Sequence, residues 1–191
     1  MKFKHLYTTF ILQQIRLLLI MALVFGSEAK LFSQSAEYTM KAVAFEKLSL
    51  FITWPANTIK NDPSHEFVIA VLGQNPFGSI LNDVYKDKKI KDKRVKIVNV
   101  KNIKQLTDCQ ILFIPKIGRA ELQGDLNSIK GRPILIISDT DGFAEAGCFI
   151  NFYLFENKLR FEINQKGMQD AGFTIDYRLL RVSKILNPTS E

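Results

Sequence analysis

The hydrophobic and polar positions change period several times along this chain, and each change marks an element. Residues 36–52 place Tyr38, Ala42, Phe45, Leu48 and Ile52 at helical spacing, and Met40, Val43, Ala44 and Phe51 widen the apolar face. Trp54-Pro55 stops this helix, because proline disfavours helix at the residue before it. Trp54 is then either an interface anchor or, the preferred reading, a seal for the helix end against the core. Glu66 to Leu72 reads as a strand, Gly73 to Gly78 as a turn, and Phe77 to Lys86 as a helix. The theme repeats with strand Val95 to Val100, a short helix at Ile103 to Thr107, strand Ile111 to Pro115 and helix Arg119 to Lys130.

Pro133 to Asp139 is a continuous apolar run ending in Ser-Asp, the pattern of a central strand buried on both faces. After it the pattern alternates. Phe149, Asn151, Tyr153 and Phe155 oppose Ile150, Phe152 and Leu154, and Leu159, Phe161 and Ile163 interleave with Arg160, Glu162 and Asn164, which predicts a hairpin turning at Asn157. Thr140 to Gly147 is too short for a helical crossover, so strand 148–156 is expected antiparallel to its predecessor. A last helix covers Gln165 to Asp170 and continues, broken near Gly172, from Ile175 to Leu186. Strands alternating with helices imply right-handed crossovers. The expected fold class is α/β: a Rossmann-like or flavodoxin-like three-layer sandwich, its mostly parallel sheet carrying a C-terminal antiparallel hairpin and flanking helices.

A chain of 191 residues suits one domain with a real core. Lys2, Lys4 and Arg16, the apolar run Leu17 to Phe25 and the small residues around Ser27-Glu28-Ala29 form the tripartite pattern of a secretory signal. That run is too short for the roughly 20 residues a membrane span needs. The expected organisation is therefore a cleaved signal peptide over residues 1–29 and an α/β domain over 36–187. Removing residues 1–29 takes Lys plus Arg from 26 to 23 and Asp plus Glu from 19 to 18, leaving a net charge of +5 from +7. The cations concentrate in Lys86 to Lys104, where KDKKIKDKRVK (86–96) mixes both signs and reads as a solvated loop and strand edge. No nucleic-acid motif is present.

Catalytic groups are scarce. His65 is the only histidine after residue 29, and the GxSxG turn that a serine hydrolase needs is missing, so neither a multi-histidine metal site nor a Ser-His-Asp triad is supported, which argues against a hydrolase. No cofactor or metal is called for. Asp139, Asp141 and Glu145 cluster at the end of the central strand, where open α/β sheets bind ligands, but DTDG completes no calcium loop and reads as turn chemistry. The loops after three strands form a candidate ligand crevice around Gly73, Pro76, Phe77, Lys116, Arg119 and Ser138; the Gly73–Gly78 turn lacks the Lys-Ser/Thr of a P-loop. Cys109 and Cys148 are expected to be free thiols, placed by an antiparallel return strand about 17 Å apart, beyond the roughly 7 Å that a disulfide spans between Cα atoms.

One long stretch carries a resemblance. SDTDGFAEAGCFINF (138–152) followed by KLRFEIN (158–164) resembles the signature of the YfiR-like family of exported bacterial proteins, and EYTMKA (37–42), Trp54-Pro55, VLGQNPFG (71–78) and CQILFI (109–114) agree with it in order. The resemblance implies a periplasmic, non-catalytic regulator that restrains a membrane-anchored diguanylate cyclase by binding its periplasmic part. Members carry additional cysteines that this chain lacks. The expected partner is an inner-membrane signalling protein with a periplasmic domain, either a diguanylate cyclase or a sensor kinase, and a homodimer is left open. The loop between central strand and hairpin is the candidate partner site: Asp139, Asp141, Phe143 and Glu145, with Phe143 leaning towards the core. The alternative function is a periplasmic small-molecule-binding protein, or an enzyme, that uses the crevice, the binding protein feeding a sensor kinase.

Overall fold

The computed structural model describes Arg16 and residues 34–56, 58, 59, 62 and 64–186; the rest of the expected signal segment and residue 187 lie outside them. The chain divides into two compact units, Met1–Glu37 and Tyr38–Glu191. Of the first, Arg16 and residues 34–37 are described, all helical.

The helix over residues 34–51 (α1) turns Ala42, Phe45 and Leu48 into the core, as its spacing requires. There follow β1 (Ile52–Thr53), β2 (Phe67–Leu72), α2 (Ile80–Tyr85), β3 (Lys89–Ile90), β4 (Lys93–Val100), a 3-10 turn at Ile103–Gln105 and β5 (Ile111–Ile114). The chain continues through α3 (Arg119–Ser128), β6 (Leu135–Ser138), β7 (Ile150–Phe155), β8 (Lys158–Asn164), α4 (Gln165–Asp170), β9 (Thr174–Ile175), α5 (Tyr177–Leu180) and β10 (Lys184–Leu186). Eight strands form one sheet in the order β10-β8-β7-β6-β5-β2-β4-β3, parallel except at β7/β8 and β3/β4, while β1 and β9 pair separately.

Alternating side chains of the fully buried central strands supply two cores. Ile69, Phe113, Leu135 and Ile137 meet α1, α2 and Met168 of α4 on one face. Leu112, Ile114 and Ile136 meet Leu122 and Ile129 of the α3 layer, Ile103, Leu106 and Phe143 on the other. This is a three-layer α/β arrangement. Trp54 is 6% exposed and its Nε1 donates to the Gln110 carbonyl at 3.1 Å, so the indole serves the core.

Two expectations about the C-terminal half are corrected. β7 runs parallel to β6, with Ile137 opposite Ile150 and Ser138 opposite Asn151. The minimum length of a parallel crossover assumes strands that overlap along their length. Here they overlap only at the end of one and the start of the other, so residues 139–149 need step back only a short way. They do so in turns, with Phe143 N donating to the Thr140 carbonyl, Ala146 N to Gly142 and Cys148 N to Phe143. The second correction is that residues 175–186 are no continuous helix. Thr174 and Ile175 pair with Thr53 and Ile52, Asp176 caps the single turn α5, and Lys184–Leu186 adds a parallel strand beside β8. Sheet pairing overrides the helical spacing there.

Candidate functional site

Residues 139–149, within the segment that carries the resemblance, fold as a lid on the second face of the sheet. Gly142 adopts φ 77°, a conformation that side chains disfavour, and turns Phe143 and Ala144 inward, to 5% and 0% exposure. Asn164, at the end of β8, holds this lid from below: its Nδ2 donates to the Ala144 carbonyl at 3.3 Å, and its Oδ1 accepts from Gly167 N at 2.8 Å, capping α4. Asp139 accepts from Lys41 Nζ at 2.6 Å and from Tyr38 Oη at 3.0 Å, tying α1 to the end of β6. Of the four residues proposed for partner contact, Asp139 and Phe143 are thus held within the fold. Asp141 and Glu145 face solvent. The signature residues Phe143, Ala144 and Asn164 have structural work in this chain.

The crevice residues come together at one end of the sheet, because β2, β5 and β6 are adjacent and parallel. Gly73 turns there at φ 68°, Pro76 is half-buried, Lys116 and Arg119 are exposed, and Ser138 is fully buried with its Oγ accepting from Thr140 N. Phe77 belongs to the core on the α1 face. It is 1% exposed and makes ring contacts of 5.0 Å with Tyr38 and 4.9 Å with Phe113.

Open space lies elsewhere. A groove of 670 Å³ runs between α1, the β7/β8 hairpin and the turn after α5; its walls include Met40, Val43, Phe51, Leu159, Phe161 and Val182, and its charged members are Lys47 and Lys158. Met40 and Val182 are 39% and 62% exposed, and Leu50 adds 63% on the same helix. The signal for this groove was the breadth of the apolar face of α1: Met40, Val43 and Phe51 exceed what one core contact uses. A second cavity of 510 Å³ opens at the opposite end of the sheet from the crevice, against the starts of β2 and β4 and the segments entering β5 and β6.

Cys109 and Cys148 are buried free thiols, and burial pushes both up to about 12, away from the thiolate form. Because β5 and β7 both run parallel to β6, the two residues enter the sheet from the same end, not opposite ends. The intervening strand β6 separates their strands by two spacings, about 9–10 Å. Tyr85 is raised by burial, and its hydroxyl donates to the Ala42 carbonyl at 2.6 Å, locking α2 onto α1. Among the described residues no three His, Cys, Asp or Glu side chains are grouped to hold a metal ion.

Comparison with known proteins adds one firm result. No curated protein matches. A solved structure described as the ABC domain in complex with L-Trp from Streptococcus pneumonia is similar at 12% identity and a TM-score of 0.48, over 63% of this chain and 55% of that one, about half its length. So weak a likeness carries no argument. A family model described as YfiR/HmsC-like matches residues 38–184, from α1 through the whole sheet to the start of β10. The chain belongs to the YfiR/HmsC-like family.

Proposed function

We propose that this protein is exported, with residues 1–29 removed, and restrains a membrane-anchored signalling enzyme of the diguanylate cyclase type by binding its periplasmic part. Membership of a regulatory, non-catalytic family supports this reading. So does the burial of both thiols. The observation that carries it is the apolar groove beside α1, whose exposed Met40 and Val182 the core does not use. Contiguous exposed apolar surface marks an interaction site. With Lys47 and Lys158 at its walls, the groove suits an apolar partner segment flanked by acidic residues. Asp141 and Glu145, exposed on the lid over the other face, are a secondary contact in this proposal. A small molecule in the crevice has weaker support, since Phe77 and Ser138 of the crevice set are buried, at 1% and 0% exposure.

The experiment measures cellular cyclic di-GMP while the chain is produced with and without residues 1–29. The exported form should lower it and the form without residues 1–29 should not. Met40→Asp with Val182→Asp should abolish the effect at unchanged protein level. An effect that survives this double change removes the groove from the reading. One that survives loss of residues 1–29 removes the periplasmic site of action.

A further inference from the structure

The cavity at the N-terminal ends of the parallel strands has the composition of a ligand site. Its floor is apolar: Val68, Val98, Cys109 and Ile134. Its volume of 510 Å³ falls within the range of about 300–1,000 Å³ common to small-molecule sites, and polar and charged side chains surround that apolar floor. The charged lining is unequal, with Lys93, Lys96 and Arg132 facing Glu66 and Asp108. Two of the cations are matched, Lys96 with Glu66 at 3.6 Å and Arg132 with Asp108 at 3.7 Å. Arg132 also donates to the Leu106 and Thr107 carbonyls at 3.2 and 2.7 Å.

Lys93 is the cation left over. It is 7% exposed, and its Nζ donates to the Asp62 main-chain carbonyl at 2.8 Å. No carboxylate among the described residues lies within 4.0 Å of it. The Asp62 carboxylate is directed elsewhere, to Ser64 and His65. Burying an ammonium is costly unless an anion joins it. A buried cation beside a cavity with an apolar floor therefore defines what would complete it.

We propose that this cavity binds a small organic anion whose apolar or aromatic body lies on Val68, Val98, Cys109 and Ile134 and whose carboxylate reaches the Lys93 ammonium. This site stands apart from the apolar groove and does not depend on the partner reading. It also lies at the opposite end of the strands from the usual ligand crevice of open α/β sheets.

The test titrates the full chain with 2-naphthoate and with its neutral analogue 2-naphthylmethanol, following ligand fluorescence. Naphthoate should bind saturably at one site and about tenfold or more tighter than the alcohol, the difference expected of a charged hydrogen bond. Lys93→Met should remove that difference, bringing the acid to the affinity of the alcohol. Val98→Phe, which fills the floor, should weaken both ligands, and Val182→Asp in the apolar groove should change neither. Equal binding of acid and alcohol to the wild-type chain would overturn the proposal without any variant. So would naphthoate affinity unchanged in a folded Lys93→Met protein, binding lost on Val182→Asp, or no saturation at the solubility of the ligand.

Discussion

Asn164 and Gly167 give the sharpest test of how the family signature works in this chain. Asn164 is 8% exposed and bonds both the lid, at the Ala144 carbonyl, and the first turn of α4, at Gly167 N. In Asn164→Ala the lost N-cap costs about 1 kcal/mol. The Ala144 carbonyl keeps its bond from Gly147 N but loses the amide donor, about 1 kcal/mol more, so the variant should be about 2 kcal/mol less stable. A Cβ added at Gly167 would stand 2.9 Å from both Nδ2 and Oδ1 of Asn164, so Gly167→Ala must push that amide away and forfeit much of the same energy. With Asn164 already alanine the obstruction is gone. Gly167→Ala should then stabilise, by about 0.5–1 kcal/mol, as alanine does in place of glycine within a helix. The effect of one substitution thus changes sign with the residue at 164. Urea unfolding of the four proteins, compared at a common m-value, reads this directly. Equal destabilisation by Gly167→Ala in both backgrounds would refute the clasp.

Phe143→Ala should cost about 3–5 kcal/mol, the range for a buried aromatic removed from a packed core, whereas Asp141→Ala with Glu145→Ala should stay within about 0.5 kcal/mol of wild type each; melting curves separate the two outcomes. The thiols of Cys109 and Cys148 are held protonated in the fold, from an ordinary value of 9.0 up to about 12. Their contribution is therefore fully present below pH 9 and lost as pH rises through 9 to 12, so Cys148→Ala should flatten the alkaline limb of the stability profile. Asp176 caps α5 and pairs with Arg178, and its carboxyl is held down to about 2. Stability from this group is present above its ordinary value of 3.8 and lost as pH falls towards 2, and Asp176→Asn should remove that part of the acid limb.

The alternation of the hairpin was legible because each strand buries one face, and its turn falls where expected: Glu156 and Asn157 both take positive φ, at 50° and 57°, as a tight two-residue connection requires. The direction of β7 was not legible, because crossover length constrains direction only when strand overlap is known. Residues 175–186 misled for a related reason: helical spacing of Ile175, Leu179 and Val182 cannot reveal that β1 and β8 offer open edges nearby. Among site residues, the crevice set lies at one sheet end because β2, β5 and β6 are parallel neighbours, and Phe77 of that set is buried. Lys93 was hidden in a run of mixed charges that reads as solvated. The turn at Lys91 and Asp92, at φ 51° and 62°, reverses the chain and brings this one lysine of the run inside.

The most direct test of the central claim places a photoreactive phenylalanine analogue singly at Met40, Val182, Asp141 and Glu145 of the exported chain and identifies what each position captures in living cells. The account predicts that Met40 and Val182 both crosslink to the periplasmic part of one membrane-anchored signalling enzyme, and that Asp141 or Glu145 captures that same enzyme more weakly. Capture from Asp141 and Glu145 alone, with Met40 and Val182 linking to no membrane protein, would contradict it.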